Sequence, residues 1–312
     1  MERIGIAIVG AGPAGLQAAI TLSQLNYQPI VFEEHSVIGQ PIQCGEGLSI
    51  QAFHDFSLEE DMDAFCVREF KKCKIVMSEN KAVYGDVHAF SIRRDAFDQY
   101  LAKRATDMGV EILLSTKVTK VVRLSDGFQI ITSGEKKKEY RCDMLIIAEG
   151  YKAKIARDLN FPQPTPLIKA LEYKVEGEWR DDLEFYFDAK KYPSGYCWIF
   201  PRKGETNVGI ATTAKDRKKR LDDFLKEKEI TGSIMNKIGG QIPMNGPINK
   251  LYDTGVIVVG DTAGMVNPIF YGGIRLAMTS GEIAGKIVAH YMNSLNDNSR
   301  YNLSNYHKTL KK

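Results

Sequence analysis

Residues Ile4 to Val9 read IGIAIV, an almost wholly apolar run that suits a buried parallel strand, and a glycine turn follows at once. Gly10, Gly12 and Gly15 form GxGxxG, after which Ala18, Ala19, Leu22 and Leu25 recur at helical spacing. A second apolar run, Pro29 to Phe32, ends in Glu33, close to the roughly 20 positions at which an acid is expected beyond such a turn. Strand, glycine turn, helix, strand and acid in that order point to a dinucleotide-binding unit, which a bare glycine motif would not. The glycines let the chain turn sharply and let its backbone approach a pyrophosphate, while the helix start offers free N–H groups and the positive end of a dipole. Gly10, Gly12, Pro13, Ala14 and Gly15 are therefore the expected cradle, and Glu33 the acceptor for a ribose hydroxyl. Glu34 is counted with them, its alternative being a solvent-facing carboxylate. This turn alone does not choose between NAD and FAD.

The other end of the chain carries a second half-site. Val256 to Val259 is another apolar run and leads into Gly260-Asp261-Thr262-Ala263-Gly264, then Pro268 and the pair Gly272-Gly273. Beyond the pair, Ile274, Ala277, Met278, Gly281, Ala284, Ile287, Val288 and Tyr291 share one face of a long predicted helix. A helix N-terminus placed there stabilises negative charge on a reduced flavin, which favours FAD over NAD. The segment resembles flavoproteins of the aromatic-hydroxylase and reductase type. That resemblance implies that Asp261 holds the ribityl chain and that the backbone at Gly272, Gly273 and Ile274 faces the isoalloxazine. Ile92-Arg93-Arg94-Asp95-Ala96-Phe97-Asp98 is similar to the RxxFD segment of those proteins, which makes Arg94 the arginine that reaches the cofactor, against a plain surface arginine opening a helix from Asp95 to Met108. Lys117-Val118-Thr119 matches the strand whose backbone brackets adenine, and Ala148-Glu149-Gly150 the turn that closes the nucleotide lobe, with Glu149 in place of the usual aspartate. Val118 and Gly150 thus join the expected FAD-binding residues.

With 312 residues the chain is expected to hold about two lobes. The expected fold class is α/β: a Rossmann-like FAD-binding domain of the p-hydroxybenzoate-hydroxylase-like kind, with a second, mostly antiparallel β-sheet domain for the substrate. The FAD-binding domain is drawn from 1–69, 93–160 and 251–312, and the substrate domain from 70–92 and 161–250. Strands are expected near Leu167 to Val175, Leu183 to Phe187, Gly195 to Pro201 and Thr206 to Thr212, a helix over Lys215 to Glu229, and a hairpin from Phe70 to Ser78 and Ala82 to Ile92. Only one complete dinucleotide fingerprint is present, so electrons are expected from a transient donor, NAD(P)H or a ferredoxin-like protein.

Two further segments bear on the substrate. IGxPxxCGEGLS, from Ile38 to Ser49, resembles the geranylgeranyl reductase family of flavoproteins, and Tyr196-Cys197-Trp198-Ile199-Phe200-Pro201 is similar to that family's YxWxFP stretch. The resemblance spans about Ile4 to Met292. It implies an FAD enzyme that saturates carbon–carbon double bonds of polyprenyl chains. By the same resemblance, the reduced flavin is expected to give a hydride to one alkene carbon while a proton goes to its neighbour. It further implies that the loop with Cys44 and Gly45 passes beside the flavin and that Tyr196, Trp198 and Phe200 line the lipid cavity. Cys44 is the first candidate for a catalytic side chain, as proton donor or as a group packed on the ring; its blander role is a small buried residue in a tight loop. Glu46 reads as a hydrogen-bond acceptor of that loop. Tyr271 replaces the first glycine of the family's usual GGG run, and the chain stops soon after the last long helix, with Asn293 to Lys312 read as a polar tail or short helix. Both departures predict a shortened cavity or a smaller substrate.

Other classes are weighed against this one. A flavin monooxygenase of a small aromatic shares the fold and the GD segment. A halogenase is disfavoured because YCWIFP does not match WxWxIP, and an electron-transfer flavoprotein dehydrogenase by the missing cysteine cluster. A non-catalytic flavin-binding protein is the reading outside enzymes. A net charge of +3, from 42 basic and 39 acidic residues, is too balanced for a nucleic-acid binder. Lys136-Lys137-Lys138 and Arg217-Lys218-Lys219-Arg220 stand among acids, as solvated faces do. The 5 cysteines form no CxxC pair and no metal is expected. Their odd count and the absence of a leader pattern predict a cytoplasmic protein, and no apolar run is long enough to span a bilayer, so membrane contact is expected to be peripheral.

Overall fold

The computed structural model of the chain describes residues 2–78, 81–135, 137–296 and 302–310. They form two compact units, each woven from separate stretches of sequence: 1–40, 98–166 and 243–312 in one, 41–97 and 167–242 in the other. The expected boundaries near 69/70 and 92/93 move to 40/41 and 97/98, and those near 160/161 and 250/251 move to 166/167 and 242/243. The reason for the first shift is a three-residue strand, Gly47–Ser49, that pairs antiparallel with Lys81–Ile92 and so carries the Cys44 loop into the second sheet.

The first unit is built on a sheet in the order 252–253, 256–258, 139–147, 2–9, 30–32, 111–113. Glu2–Val9 lies parallel to both Ile30–Phe32 and Glu139–Ile147, and Glu139–Ile147 in turn lies parallel to Val256–Val258. Apolar runs at Ile6 to Val9, Leu145 to Ile147 and Val256 to Val258 are buried, as strands covered on both faces must be. Thr116–Leu124 and Gly127–Gly134 form a hairpin attached antiparallel to Glu139–Ile147.

Two helices, Pro13–Gln24 and Ile274–Asn296, pack along each other through small residues. A Cβ at Gly281 would stand 2.1 Å from the Ala14 carbonyl oxygen, and one at Gly285 would stand 3.0 Å from that of Ala18. Backbone therefore meets backbone along this pair. Within the stretch expected as a polar tail or short helix, Ser304–Leu310 is helical, and its Tyr306 is fully buried and donates its hydroxyl to the Val258 carbonyl at 3.1 Å. Lys136 lies outside the described residues, as do 297–301.

The second unit is a sheet in the order 234–243, 167–176, 205–212, 196–201, 183–186, 66–78, 81–92, 47–49. From Leu167–Glu176 across to Gly47–Ser49 its neighbouring strands run antiparallel, except for Leu183–Tyr186, which lies parallel to Cys66–Ser78. Alternation decides what each face carries. Tyr173, Val175, Cys197, Ile199, Val208 and Ile210 turn to one side and pack with Leu221, Phe224 and Leu225 of the helix Arg217–Glu227. Residues 172, 174, 196, 198, 200, 207 and 209 occupy the other side.

Candidate active site

In the first unit the glycine turn has the form a phosphate requires. Gly12 caps the helix Pro13–Gln24 with no side-chain hydrogen bond and no acid in the first turn, leaving its leading N–H groups open. A Cβ at Gly12 would meet nothing within 4 Å, whereas one at Gly15 would stand 2.0 Å from the Gly10 carbonyl oxygen. Gly12 thus faces open space while Gly15 holds turn and helix together, with Pro13 and Ala14 in the first helical turn. Glu33 is buried beside the turn: one carboxylate oxygen accepts the Ala11 N–H at 2.8 Å and the other accepts the His35 N–H at 3.0 Å. Glu34 points elsewhere. It pairs with Lys117, and Lys152 lies 3.8 Å away, so that the Lys117 ammonium holds its carboxyl below the ordinary range.

The carboxy-terminal half-site belongs to the same unit. Gly260 to Ala263 form a tight helical turn in which Asp261 is half-buried. Gly273 approaches it so closely that an added Cβ would lie 3.4 Å from Oδ1. Gly272 is open, and Ile274 begins the long helix. Tyr271 adopts φ 52°, a left-handed conformation that a glycine would take without strain, and it is half-buried. Val118 sits in the strand Thr116–Leu124, and the carbonyl of Gly150 accepts the Thr262 hydroxyl at 3.0 Å. Glu149, the substituted aspartate, has a definite role: it accepts the N–H groups of Ile155 and Ala156 at 3.0 and 2.8 Å and so caps a short helix, while burial raises its carboxyl. Open helix amides, a ribose-level carboxylate and a second glycine cradle together fit a flavin nucleotide.

The second unit brings together Cys44, Gly45, Arg94, Tyr196, Trp198 and Phe200. Added Cβ atoms would stand 3.5 Å from the Phe200 ring and from the Trp198 indole nitrogen at Gly45, and 3.3 Å from the Phe200 ring at Gly47. The CGEG loop therefore lies directly on the face of the YCWIFP strand. Tyr196, Trp198 and Phe200 are each less than a tenth exposed, and Phe185 joins them edge-on at 5.2 Å from Phe200. These four rings form an aromatic strip on that side of the sheet, flanked by Glu172, Lys174 and Asn207.

The arginine at 94 is half-buried and tied to its neighbours. It begins the helix Arg94–Asp107, its backbone N–H donates to Glu46 at 2.9 Å, and its guanidinium is hydrogen-bonded to the Cys44 sulfur, easing the thiol downward against the larger upward push of burial. Cys44 also accepts the Glu46 N–H at 3.2 Å. Neither contact was legible in the RxxFD spacing.

Glu46 exceeds its expected part as a loop acceptor. Its side chain is fully buried in an ion pair with Lys174 at 2.7 Å and Arg202 at 3.0 Å, and Asn207 donates to it at 3.1 Å. Three groups from two strands and the following turn thus fix the Cys44 loop. Glu46 itself has φ 63°, a strained conformation for a residue with a Cβ, and the network holds it there.

Glu172, Lys174, Arg202, Asn207 and Gly209 were missed by sequence reasoning. Glu172 faces Gly209, which faces Trp198 on the next strand. Having no side chain, Gly209 lets the indole lie across it, and the Trp198 Nε1–H donates to Glu172 Oε2 at 2.9 Å. A Cβ at Gly209 would fall 2.1 Å from the indole ring. Gly209→Ala is accordingly expected to swing Trp198 off the sheet and to leave the buried carboxyl without its donor, at about 1–3 kcal/mol. In a Trp179→Phe background, red-shifted Trp198 emission would show this; unchanged emission would contradict the packing.

The family model described as geranylgeranyl reductase catalytic domain matches residues 168–242, the stretch holding Glu172, Trp198 and Gly209. A second, described as pyridine nucleotide-disulphide oxidoreductase, matches residues 7–181. The digeranylgeranylglycerophospholipid reductase of Methanocaldococcus jannaschii is 32% identical, with 98% of this chain and 82% of that protein covered. A geranylgeranyl bacteriochlorophyll reductase-like protein from Thermoplasma acidophilum superposes with a TM-score of 0.92 at 26% identity, covering 100% of this chain and 84% of that one. The flavin-dependent brominase Bmp2 superposes with a TM-score of 0.83 at 18% identity, covering 99% of this chain and 84% of that one, a likeness of fold. Among the described residues no cluster of metal-ligating side chains occurs, and no helix is long and apolar enough to cross a membrane.

Proposed function

The chain belongs to the geranylgeranyl reductase family of flavoproteins, and from that premise we propose that it is an FAD-dependent reductase saturating the double bonds of a geranylgeranyl lipid. The observation that carries the reading is the seating of the CGEG loop on the Tyr196, Trp198 and Phe200 face, where the family's two distinguishing segments meet. An aromatic, dehydrated wall suits a prenyl chain, and the relative from Methanocaldococcus jannaschii is named for a lipid bearing two such chains.

FAD is favoured over a mononucleotide by a buried carboxylate, Glu33, at the end of the second strand beside the glycine turn, the kind of group that accepts ribose hydroxyls, and by the open amides of the first helix, which suit a pyrophosphate. Gly10, Gly12, Pro13, Ala14, Gly15, Val118 and Gly150 would hold the nucleotide half, and Asp261, Gly272, Gly273 and Ile274 the flavin half. Bound and reduced, the flavin supplies a hydride.

An isolated alkene offers no carbonyl to polarise. The work of the protein is therefore to hold the chain at a fixed distance and to keep water away. Tyr196, Trp198 and Phe200 bind it, and the buried Glu46 network fixes the loop that presents Cys44 and Gly45. Arg94, tied to the Cys44 sulfur, completes the loop's anchoring. Electrons come from a transient donor, NAD(P)H or a ferredoxin-like protein. For a lipid substrate we assign membrane contact to the hairpin of Cys66–Ser78 and Lys81–Ile92, whose Met77, Val83 and Tyr84 are each more than half exposed.

The test is extraction of the bound cofactor as FAD, followed by anaerobic reduction and addition of a digeranylgeranyl lipid. A gain of two hydrogens per double bond, seen by mass spectrometry, is the expected product. No gain across several prenyl lipids would sink the reading. A monooxygenase of a small aromatic would instead consume NAD(P)H and oxygen when given its substrate.

A further inference from the structure

We propose that Glu172 is the acid that delivers the proton in alkene reduction; this rests on the function proposed above. The arrangement around it is unusual for a glutamate. It is 3% exposed, Oε2 takes the Trp198 indole N–H, and Oε1 is buried with no hydrogen-bond partner among the described residues. A carboxylate so placed would bury a charged oxygen with no donor, a larger cost than leaving a neutral carboxyl oxygen unpartnered, so the neutral acid is the favoured form.

The charges nearby lead to the same state. On its own strand stands Lys174, and after the Trp198 strand stands Arg202. Both are committed elsewhere: Lys174 to Glu46 at 2.7 Å, Arg202 to Glu46 at 3.0 Å and to Glu205 at 2.7 Å. Two cations thus face two other carboxylates, and Glu172 is left as the surplus one. Lys237, the charged residue of the adjacent strand Ile234–Pro243, stands over the Tyr173 ring at 5.6 Å. From the loop, Glu46 adds its negative charge, and Cys44 is tied to Arg94. Burial first, and Glu46 second, push the Glu172 carboxyl up to about 8. The group is therefore protonated at neutral pH yet able to release its proton.

Position makes that proton useful. Glu172 shares its face of the sheet with Trp198, and an added Cβ at Gly45 would lie 3.5 Å from its Oε2. The acid thus stands at the aromatic wall and under the CGEG loop. With a prenyl chain on that wall, the alkene π pair would take the Glu172 proton at one carbon, and the neighbouring carbon would take the hydride that a bound, reduced flavin would supply. The double bond becomes single, Glu172 is left as a carboxylate, and solvent restores its proton before the next turnover.

The test compares wild type with Glu172→Gln, which keeps the size and the acceptor for Trp198. Retained flavin absorbance and Trp198 emission establish that the variant folds. In pH-difference infrared spectra, wild type is expected to lose a neutral-carboxyl C=O band with a midpoint near about 8, and the variant to lack it. With reduced flavin and a digeranylgeranyl lipid, the wild-type rate is expected to fall about tenfold per pH unit above that midpoint, while the variant is slower by on the order of 100-fold and flat with pH. A variant matching wild type in rate and pH profile, or lacking no carboxyl band, overturns the donor role alone. Wild type that leaves every prenyl lipid unreduced overturns the function reading, and the donor role with it.

Discussion

Glu46→Ala is expected to destabilise the protein by about 3–5 kcal/mol, the largest effect of any single side chain in the second unit. The ion pairs of Glu46 lie out of water, with its side chain fully buried and that of Arg202 only 3% exposed. Removing the carboxylate leaves Lys174 with Glu205 at 3.8 Å, and Arg202 with Glu205 and the Ile92 carbonyl at 2.6 Å. It also removes the acceptor for the Arg94 N–H, while alanine keeps the strained left-handed backbone at position 46. Salt screens exposed pairs, so a loss that persists in high salt identifies the buried network as its source. Denaturant unfolding checks the size, and Glu46→Ala combined with Lys174→Met should recover part of the loss by removing a stranded cation. An unchanged midpoint for Glu46→Ala would mean that the network is not formed.

The second large effect is expected from Gly281→Ala. Two terms compete at this position. Alanine in a helix interior gains roughly 0.5–1 kcal/mol over glycine. Against it, the new Cβ would fall 2.1 Å from the Ala14 carbonyl oxygen, a backbone atom that cannot rotate away. Overpacking of this kind costs about 1–3 kcal/mol, and the helix pair must part to relieve it. The steric term wins. Because the two helices open beside the two half-sites, parting them also spoils both cradles. Thermal unfolding should show a fall of several degrees together with weakened flavin retention. A variant as stable as wild type would contradict the close packing of Pro13–Gln24 against Ile274–Asn296.

These residues show what a reader of the sequence could and could not see. GxGxxG and Glu33 were legible because strand, turn, helix and acid follow one another along the chain, so local rules suffice. The strands of the second unit were legible by alternation, and the helix Arg217–Glu227 by its mixed charge. The boundary at 40/41 was not, since Gly47–Ser49 is a strand only by virtue of a partner some 40 residues away. Glu172 and Lys174 alternate with Leu171, Tyr173 and Val175, a pattern that a strand with one solvated face gives equally well, so nothing in it marks them out. That face is in fact covered, and its acid becomes chemically significant only through the register that sets Glu172 opposite Gly209 and Gly209 opposite Trp198. Glu46, an acid between two glycines, gave no sign of its cations, which lie more than 100 positions further on. Tyr271 was read as a departure that predicts a shortened cavity or a smaller substrate; in the structure it is half-buried and holds the left-handed conformation that glycine would adopt without strain, a backbone feature that the missing glycine alone did not announce.

The central claim, that a reduced flavin in this chain hands its electrons to a prenyl double bond, is tested most directly by following flavin absorbance without oxygen. Reduced enzyme mixed with a digeranylgeranyl lipid is predicted to regain its oxidised spectrum, with one double bond saturated for each flavin reoxidised. A flavin that stays reduced until air is admitted, over a lipid of unchanged mass, would contradict it.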